Sequence, residues 1–224
     1  MIYRNEWKHE ISSSDILVLR SRLSAIMKRD VNTNSDGTYH VRSLYFDTPT
    51  DKALREKIDG VNSREKFRIR YYNGDISTLH LEKKSKINGM GSKFHESLSY
   101  NEMEKILNGN IDWMPSKERP LITELYSKMK SQGLKPKTIV DYMREPFIFT
   151  AGNVRVTLDY NIRTSLNCSD FLNPECVTIN ACDQIYILEV KWDNFLPSII
   201  RSAVQLDGRR STAFSKYRIC RIYG

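Results

Sequence analysis

The stretch Arg64-Glu65-Lys66-Phe67-Arg68-Ile69-Arg70-Tyr71-Tyr72 decides the fold. Its residues alternate without a break. Lys66, Arg68 and Arg70 fall on one side, and Phe67, Ile69 and Tyr71 fall on the other. Side chains of a strand point to opposite faces at period two, so this is a strand with one apolar and one cationic face. The same pattern runs outward in both directions. Arg4, Glu6, Lys8 and Glu10 share a face of a first strand at 3–11. His80, Glu82 and Lys84 oppose Leu79 and Leu81, and Lys93 and His95 oppose Phe94. Arg155, Thr157 and Asp159 oppose Val154, Val156 and Leu158, while Glu189 and Lys191 oppose Leu188 and Val190. Phe214, Lys216, Arg218 and Cys220 are expected to share one face of a last strand at 213–222.

Further strands are expected at 40–46, 64–72, 77–86, 92–100, 137–149, 153–162 and 183–192. Asn73-Gly74-Asp75 and Asn88-Gly89-Met90-Gly91 supply hairpin turns. Ser12 to Ser14 cap a helix that runs to about residue 28, with Ile16, Leu19, Leu23 and Ile26 at helical spacing. Shorter helices are expected at 50–58, 101–108, 121–131 and 196–205, and the segment from Arg119 to Gly133 reads as a covering helix. Strands that follow one another as neighbours close most naturally into an antiparallel barrel or a strongly curved sheet.

A solvated outer face explains any one of these strands. Seven strands repeat the pattern, however, and the charges are Arg, Lys and Glu instead of the Thr, Ser and Gln common on an outer face. The other reading turns the apolar faces outward under the helices and the charged faces inward. Unpaired buried ions cost several kcal/mol each, so such an interior must hold water and a charged ligand. The carboxylates Glu6, Glu10, Glu82, Asp159 and Glu189 would then pair with Lys and Arg and hold a divalent metal.

Composition bounds the partner. The 224 residues carry 35 Lys and Arg against 27 Asp and Glu, a net charge of +8, which points to an anion. A hydrophobic share of 40% is enough for a packed core and excludes a disordered chain. No apolar run approaches the roughly 18–20 residues of a membrane span. The charged start MIYRNEWKHE is not a signal-peptide core. Cys168, Cys176, Cys182 and Cys220 lack metal spacing and suit free thiols in a reducing, cytoplasmic setting.

The segments RNEWKHEI (4–11), SLYFDT (43–48), KFRIR (66–70), LEKK (81–84), SKFHESL (92–98), YMREPF (142–147), RVTLDYNIR (155–163), ILEVKWDNFLP (187–197) and FSKYRICR (214–221) occur in a telling order. Together they resemble the triphosphate tunnel metalloenzymes. Within that superfamily they are most similar to the VTC domain, the polyphosphate polymerase domain of the vacuolar transporter chaperone complex. The resemblance implies an α+β fold over 1–224 as one domain: an antiparallel eight-stranded β-barrel forming a tunnel, with peripheral helices. It implies that Lys8, Arg68, Arg70, Lys84, Lys93, Arg144, Arg155 and Lys216 hold the phosphates of ATP and polyphosphate. Lys216, Arg68 and Arg70 would carry catalysis. Glu189 would hold Mn²⁺ or Mg²⁺, with Glu6, Glu82 and Asp159 as supporting carboxylates. The larger eukaryotic members add a phosphate-sensing domain and a membrane segment, and neither is expected within these residues.

Other classes stay open. A triphosphatase would use nearly the same residues, and a non-catalytic polyphosphate-binding module would keep the tunnel without turnover. A nucleic-acid groove wants a continuous basic stripe with few acids, whereas here the basic residues alternate along many strands, so no nucleic acid is expected. No Gly-rich kinase loop, HRD-like segment or GxxxxGK[ST] occurs. Trp7, Trp113 and Trp192 read as packing residues, and His9, His40, His80 and His95 are scattered, with His95 beside Lys93 on the charged face. Arg42 and Arg163 read as surface or inter-strand pairs.

Overall fold

All but the last of the alternating segments become strands where expected. The computed structural model describes residues 4–88, 90–182, 185–206, 208 and 211–223. Residues 3, 89, 183 and 184, which fall within expected elements, lie outside these. In chain order the strands are β1 (Asn5–Ile11), β2 (Lys28–Arg29), β3 (Tyr39–Asp47), β4 (Arg64–Tyr72), β5 (Leu79–Ile87), β6 (Met90–Leu98), β7 (Lys135–Phe149), β8 (Val154–Ser165), β9 (Ile179–Asn180) and β10 (Tyr186–Trp192). The helices are α1 (Ser13–Ile26), α2 (Lys52–Ile58), α3 (Tyr100–Leu107), α4 (Pro120–Gln132), α5 (Ser198–Val204) and α6 (Lys216–Tyr223). Eight strands pair in the order β1-β10-β8-β7-β3-β4-β5-β6, with β2 added to β7 and β9 to β8. The fold is α+β on an eight-stranded antiparallel sheet, as expected. No helix among the described residues is long and apolar enough to cross a membrane.

The chain divides into two compact units. The first is Met1–His40, Tyr142–Ile162 and Cys182–Ser215; the second is Val41–Asp141, Arg163–Ala181 and Lys216–Gly224. In the first unit α1 starts at a capping box. Ser12 accepts from the Asp15 backbone N–H, and the Asp15 carboxylate accepts from that of Ser12. Ile16, Leu19 and Leu23 of α1 and Ile200, Ala203 and Val204 of α5 then pack on Val154, Val156 and Leu158 of β8 and Leu188 and Val190 of β10. Trp7 meets Trp192 edge-on at 4.7 Å. Each fully buried Leu or Ile contributes about 1.5–3 kcal/mol.

The second unit repeats the arrangement with other parts. Phe67, Ile69 and Tyr71 of β4 and Leu79 and Leu81 of β5 pack against Met103 and Ile106 of α3 and Leu121, Ile122 and Leu125 of α4. Helix α4 runs from Arg119 as N-cap to Gly133 as C-cap, so the covering helix is as read. In each unit the apolar strand faces therefore lie under helices, and the charged faces are turned the other way. Arg42 is not at the surface. Its Nε and Nη2 donate to Asp141 at 2.9 and 2.8 Å and its Nη1 donates to the Asn173 carbonyl at 2.7 Å, a buried inter-strand pair. Arg163 donates from Nε to Thr178 Oγ1 at 2.8 Å.

One element is corrected. The expected last strand at 213–222 is the helix α6. Tyr217 and Cys220, 2% and 0% exposed, lie three residues apart on one helical face, while Arg218 is exposed. A strand would have put Arg218 and Cys220 on the same face. Eight residues with alternating charge are too few to separate period 2 from period 3.6.

The turn from β7 to β8 depends on Gly152, at φ 72°. A Cβ there would come within 2.3 Å of the Phe195 carbonyl oxygen, whereas at Gly60, φ 70°, nothing lies within 4 Å. Gly60→Ala meets only backbone strain, about 1–2 kcal/mol. Gly152→Ala adds a backbone clash, and its urea midpoint is expected to fall clearly below that of Gly60→Ala.

Candidate functional site

Register turns the alternation of the second unit into rows that cross β3, β4, β5 and β6. One row is Ser43–Arg70–His80–Ser97, the next Tyr45–Arg68–Glu82–His95, and the third Lys66–Lys84–Lys93. These rows carry five Lys and Arg side chains and one carboxylate. That carboxylate, Glu82, is 4% exposed. It accepts from Arg68 Nε and Nη2 at 2.9 and 2.8 Å, lies 2.6 Å from Arg70 Nη2 and 2.8 Å from Lys93 Nζ. Burial pushes its carboxyl up, but Arg68, Arg70 and Lys93 outweigh burial and hold it down to about 2. Burial and the neighbouring guanidinium groups push Lys93 below the usual lysine range, against the pull of Glu82. His80 is lowered by burial first and by Arg70 next. Lys216 heads α6, whose Tyr217 stacks on Tyr45 at 5.0 Å. The structure thus gathers Arg68, Arg70, Lys84, Lys93 and Glu82 on one face of the second unit, with Lys216 near Tyr45.

The first unit carries a different lattice. Its rows are Glu6–Lys191–Arg155, Lys8–Glu189–Thr157 and Glu10–Ile187–Asp159, read across β1, β10 and β8. Lys8 Nζ lies 3.3 Å from Glu6 and 4.0 Å from Glu189. Lys191 Nζ lies 3.5 Å from Glu6 and pairs closely with Glu189. Glu189 also faces Arg144 Nη2 at 3.7 Å. Burial opposes its ionisation, yet Lys191, Lys8 and Arg144 hold its carboxyl well below the usual carboxylate range. Arg144 donates from Nε and Nη2 to the two oxygens of Asp159 at 2.6 and 2.7 Å, a bidentate pair. Arg155 lies 2.9 Å from Asp30 and donates to Tyr39 Oη at 2.8 Å. Here four cations, Lys8, Lys191, Arg144 and Arg155, stand against five carboxylates, Glu6, Glu10, Glu189, Asp159 and Asp30, so the cations have no surplus.

The sequence reading named most of these groups and missed several. The period-two rule places Lys66 and Lys191 on the charged faces with Arg68 and Glu189 but gives them no part in the site. Tyr45 lay inside SLYFDT, but nothing in a lone strand marks a tyrosine as facing cations. Ser43 Oγ and Thr157 Oγ1 are buried and have no hydrogen-bond partner among the described residues. Only register places them beside Arg70 and Glu189.

Ionised Glu82 stabilises the fold fully above its ordinary value of 4.5, and that contribution is lost as pH falls through about 2. It is on the order of 3 kcal/mol. Glu82→Gln is expected to cost about that at neutral pH by urea unfolding, since Arg68, Arg70 and Lys93 are left facing one another. Tripolyphosphate is expected to raise the melting temperature of the variant more than that of the unaltered protein. An equal rise in both proteins would show that the three cations are not where the anion binds.

Comparison with known proteins follows the same lines. No curated protein matches the sequence. Among solved structures, the putative adenylyl cyclase HpAC1 from Hippeastrum, described by a dominant triphosphatase activity, is similar at a TM-score of 0.51 and 15% identity, over 99% of this chain and 96% of that one. A putative adenylate cyclase from Bacillus halodurans is similar at 0.50 and 16%, over 85% and 80%. The PH1012 protein from Pyrococcus horikoshii OT3 is similar at 0.50 and 11%, over 98% and 99%. At these identities the likeness is one of fold. The sequence itself matches the VTC domain over residues 3–222. With nearly every residue inside that match, the chain belongs to the VTC domain family.

Proposed function

We propose that the chain is a metal-dependent ATP–polyphosphate phosphotransferase. A terminal oxygen of polyphosphate attacks the γ-phosphorus of ATP, the bond from that phosphorus to the bridging β–γ oxygen breaks, and ADP leaves with that oxygen. The observation that carries the reading is the excess of five cations over one carboxylate across β4, β5 and β6. A face of that kind repels itself until an anion arrives, and a chain of phosphates supplies many negative charges at short spacing. Membership of the VTC domain family supports the same substrate class.

The residues divide the work. Arg68 and Arg70 offer planar forks that bind phosphate oxygens in pairs. Lys84 and Lys93 add point charges, and Lys216 neutralises charge at the transferred group. In the first unit Lys8, Arg144 and Arg155 are the phosphate-binding candidates. Glu189 and Glu6 share the ammonium groups of Lys8 and Lys191, which keeps the two carboxylates side by side. One or two carboxylates together with substrate phosphates is the donor set that Mg²⁺ takes, so these residues fit Mg²⁺ or Mn²⁺ arriving with the phosphates. Among the described residues no group of three or more acidic, His or Cys side chains is gathered for a bare ion. When bound, the metal neutralises charge on the phosphate oxygens. Asp159, engaged by Arg144, orients that arginine. The reading treats 1–224 as one functional domain, because the family match spans both units. The four free thiols fit a reducing cytoplasm, where ATP is available.

Water in place of the polyphosphate end would make the same residues a triphosphatase, the activity described for HpAC1. Purified protein with γ-labelled ATP and Mn²⁺ or Mg²⁺ separates the readings on a gel. A ladder of labelled chains is the expected result. Labelled orthophosphate alone makes the chain a triphosphatase, and binding without turnover makes it a polyphosphate-binding module. Lys216→Ala is expected to lower turnover by about a hundredfold or more with the fold intact. Arg68→Ala is expected to raise KM chiefly. Full activity in Lys216→Ala would remove that lysine from the mechanism.

A further inference from the structure

The row Tyr45–Arg68–Glu82–His95 begins on a phenol to which no role has been assigned. Tyr45 is 5% exposed. Its oxygen accepts from Arg68 Nη1 at 3.0 Å, and the same guanidinium donates through Nε and Nη2 to Glu82. Its own O–H has no acceptor among the described residues. Lys66 Nζ lies 5.6 Å and Arg68 Cζ 5.8 Å from the ring centroid. Tyr217 of α6 covers the ring at 5.0 Å, with its hydroxyl committed to Asp47 at 2.5 Å. Lys216, one residue before Tyr217, acts on the phenol through its charge. A buried O–H for which the described residues offer no acceptor, with Lys66 and Arg68 beside its ring and the charge of Lys216 acting on it, is a place for an anion's oxygen.

We propose that Tyr45 is a further binding residue of the phosphate site, donating its phenolic hydrogen to a phosphate oxygen that Lys66, Arg68 and Lys216 attract. This rests on the reading that the site takes a phosphate chain, and it does not depend on turnover.

Binding then acquires an alkaline limit. The charges acting on the phenol are Lys66 and Arg68 from β4 and Lys216 from α6, all positive. Burial pushes the phenol up, but these three outweigh burial and hold it down to about 8. A phenolate has no hydrogen to donate, and it repels the phosphate. The ligand therefore selects the protonated form. Affinity is full below about 8 and falls about tenfold per pH unit above it.

Tripolyphosphate without metal is the probe, with calorimetric titration from neutral to alkaline pH. Tyr45→Phe keeps the ring and its stack on Tyr217. It is expected to bind about tenfold more weakly at neutral pH, the loss of one hydrogen bond to a charged group. Its affinity is expected to decline less steeply above about 8 than that of the unaltered protein, because only the lysines of the site then lose charge. Equal affinity at neutral pH, or parallel declines in the two proteins, overturns the proposal. The near-ultraviolet phenolate titration, taken as the difference between the two proteins, isolates Tyr45 from the other tyrosines. Saturating tripolyphosphate is expected to move that titration upward, and no movement is equally fatal. If the unaltered protein binds tripolyphosphate in this way but makes no labelled chain or orthophosphate from ATP, the proposed reaction fails and the role of Tyr45 stands. If it binds no tripolyphosphate, both fail.

Discussion

Glu82 accepts from three cations and can neutralise only one. Arg68, Arg70 and Lys93 converge on its two oxygens, and its burial makes the contact strong in both directions. The carboxylate keeps the guanidinium groups in place when no ligand is bound. The two charges left over are what an anion would meet. A second acid on these rows would make the face more stable and less useful; none at all would leave the strands repelling each other. One buried glutamate among several cations balances order against affinity. The first unit, whose carboxylates outnumber its cations, has no such surplus. Its Glu6 and Glu189 are held by Lys8 and Lys191.

Much of this was legible in the sequence because strands with one helix-covered face must alternate. The rule found β4 and its cations from nine residues, and it found the faces of β1, β8 and β10. One cap was legible too: Ser12, read as part of the cap of α1, closes a capping box with Asp15, while the box of Ser99 with Glu102 on α3 was not singled out. What the rule does not contain is which strands are neighbours. Ser43 beside Arg70 and Thr157 beside Glu189 are facts of register between segments far apart in the chain. The helix α6 was missed for another reason. Its charges alternate over a few residues, while its burial follows Tyr217 and Cys220, and a short segment satisfies both periods.

The resemblance to the VTC domain carried the residue roles further than the pattern did. Pattern alone places Arg144 in the expected strand 137–149 and gives it no role. The structure engages it with Asp159 through two parallel hydrogen bonds and brings it near Glu189. An arginine so fixed presents its remaining surface in one orientation.

Asp47 has a part in this that its position hides. Its Oδ1 accepts from the backbone N–H groups of Thr48 and Ala53, and its Oδ2 accepts from Leu54 and from the hydroxyl of Tyr217. One buried carboxylate therefore fastens the start of α2 and anchors α6, the helix that Lys216 heads. It touches no cation row. In a survey of destabilising substitutions Asp47 would nonetheless rank with the buried core, as a hinge pin ranks with the blade it holds.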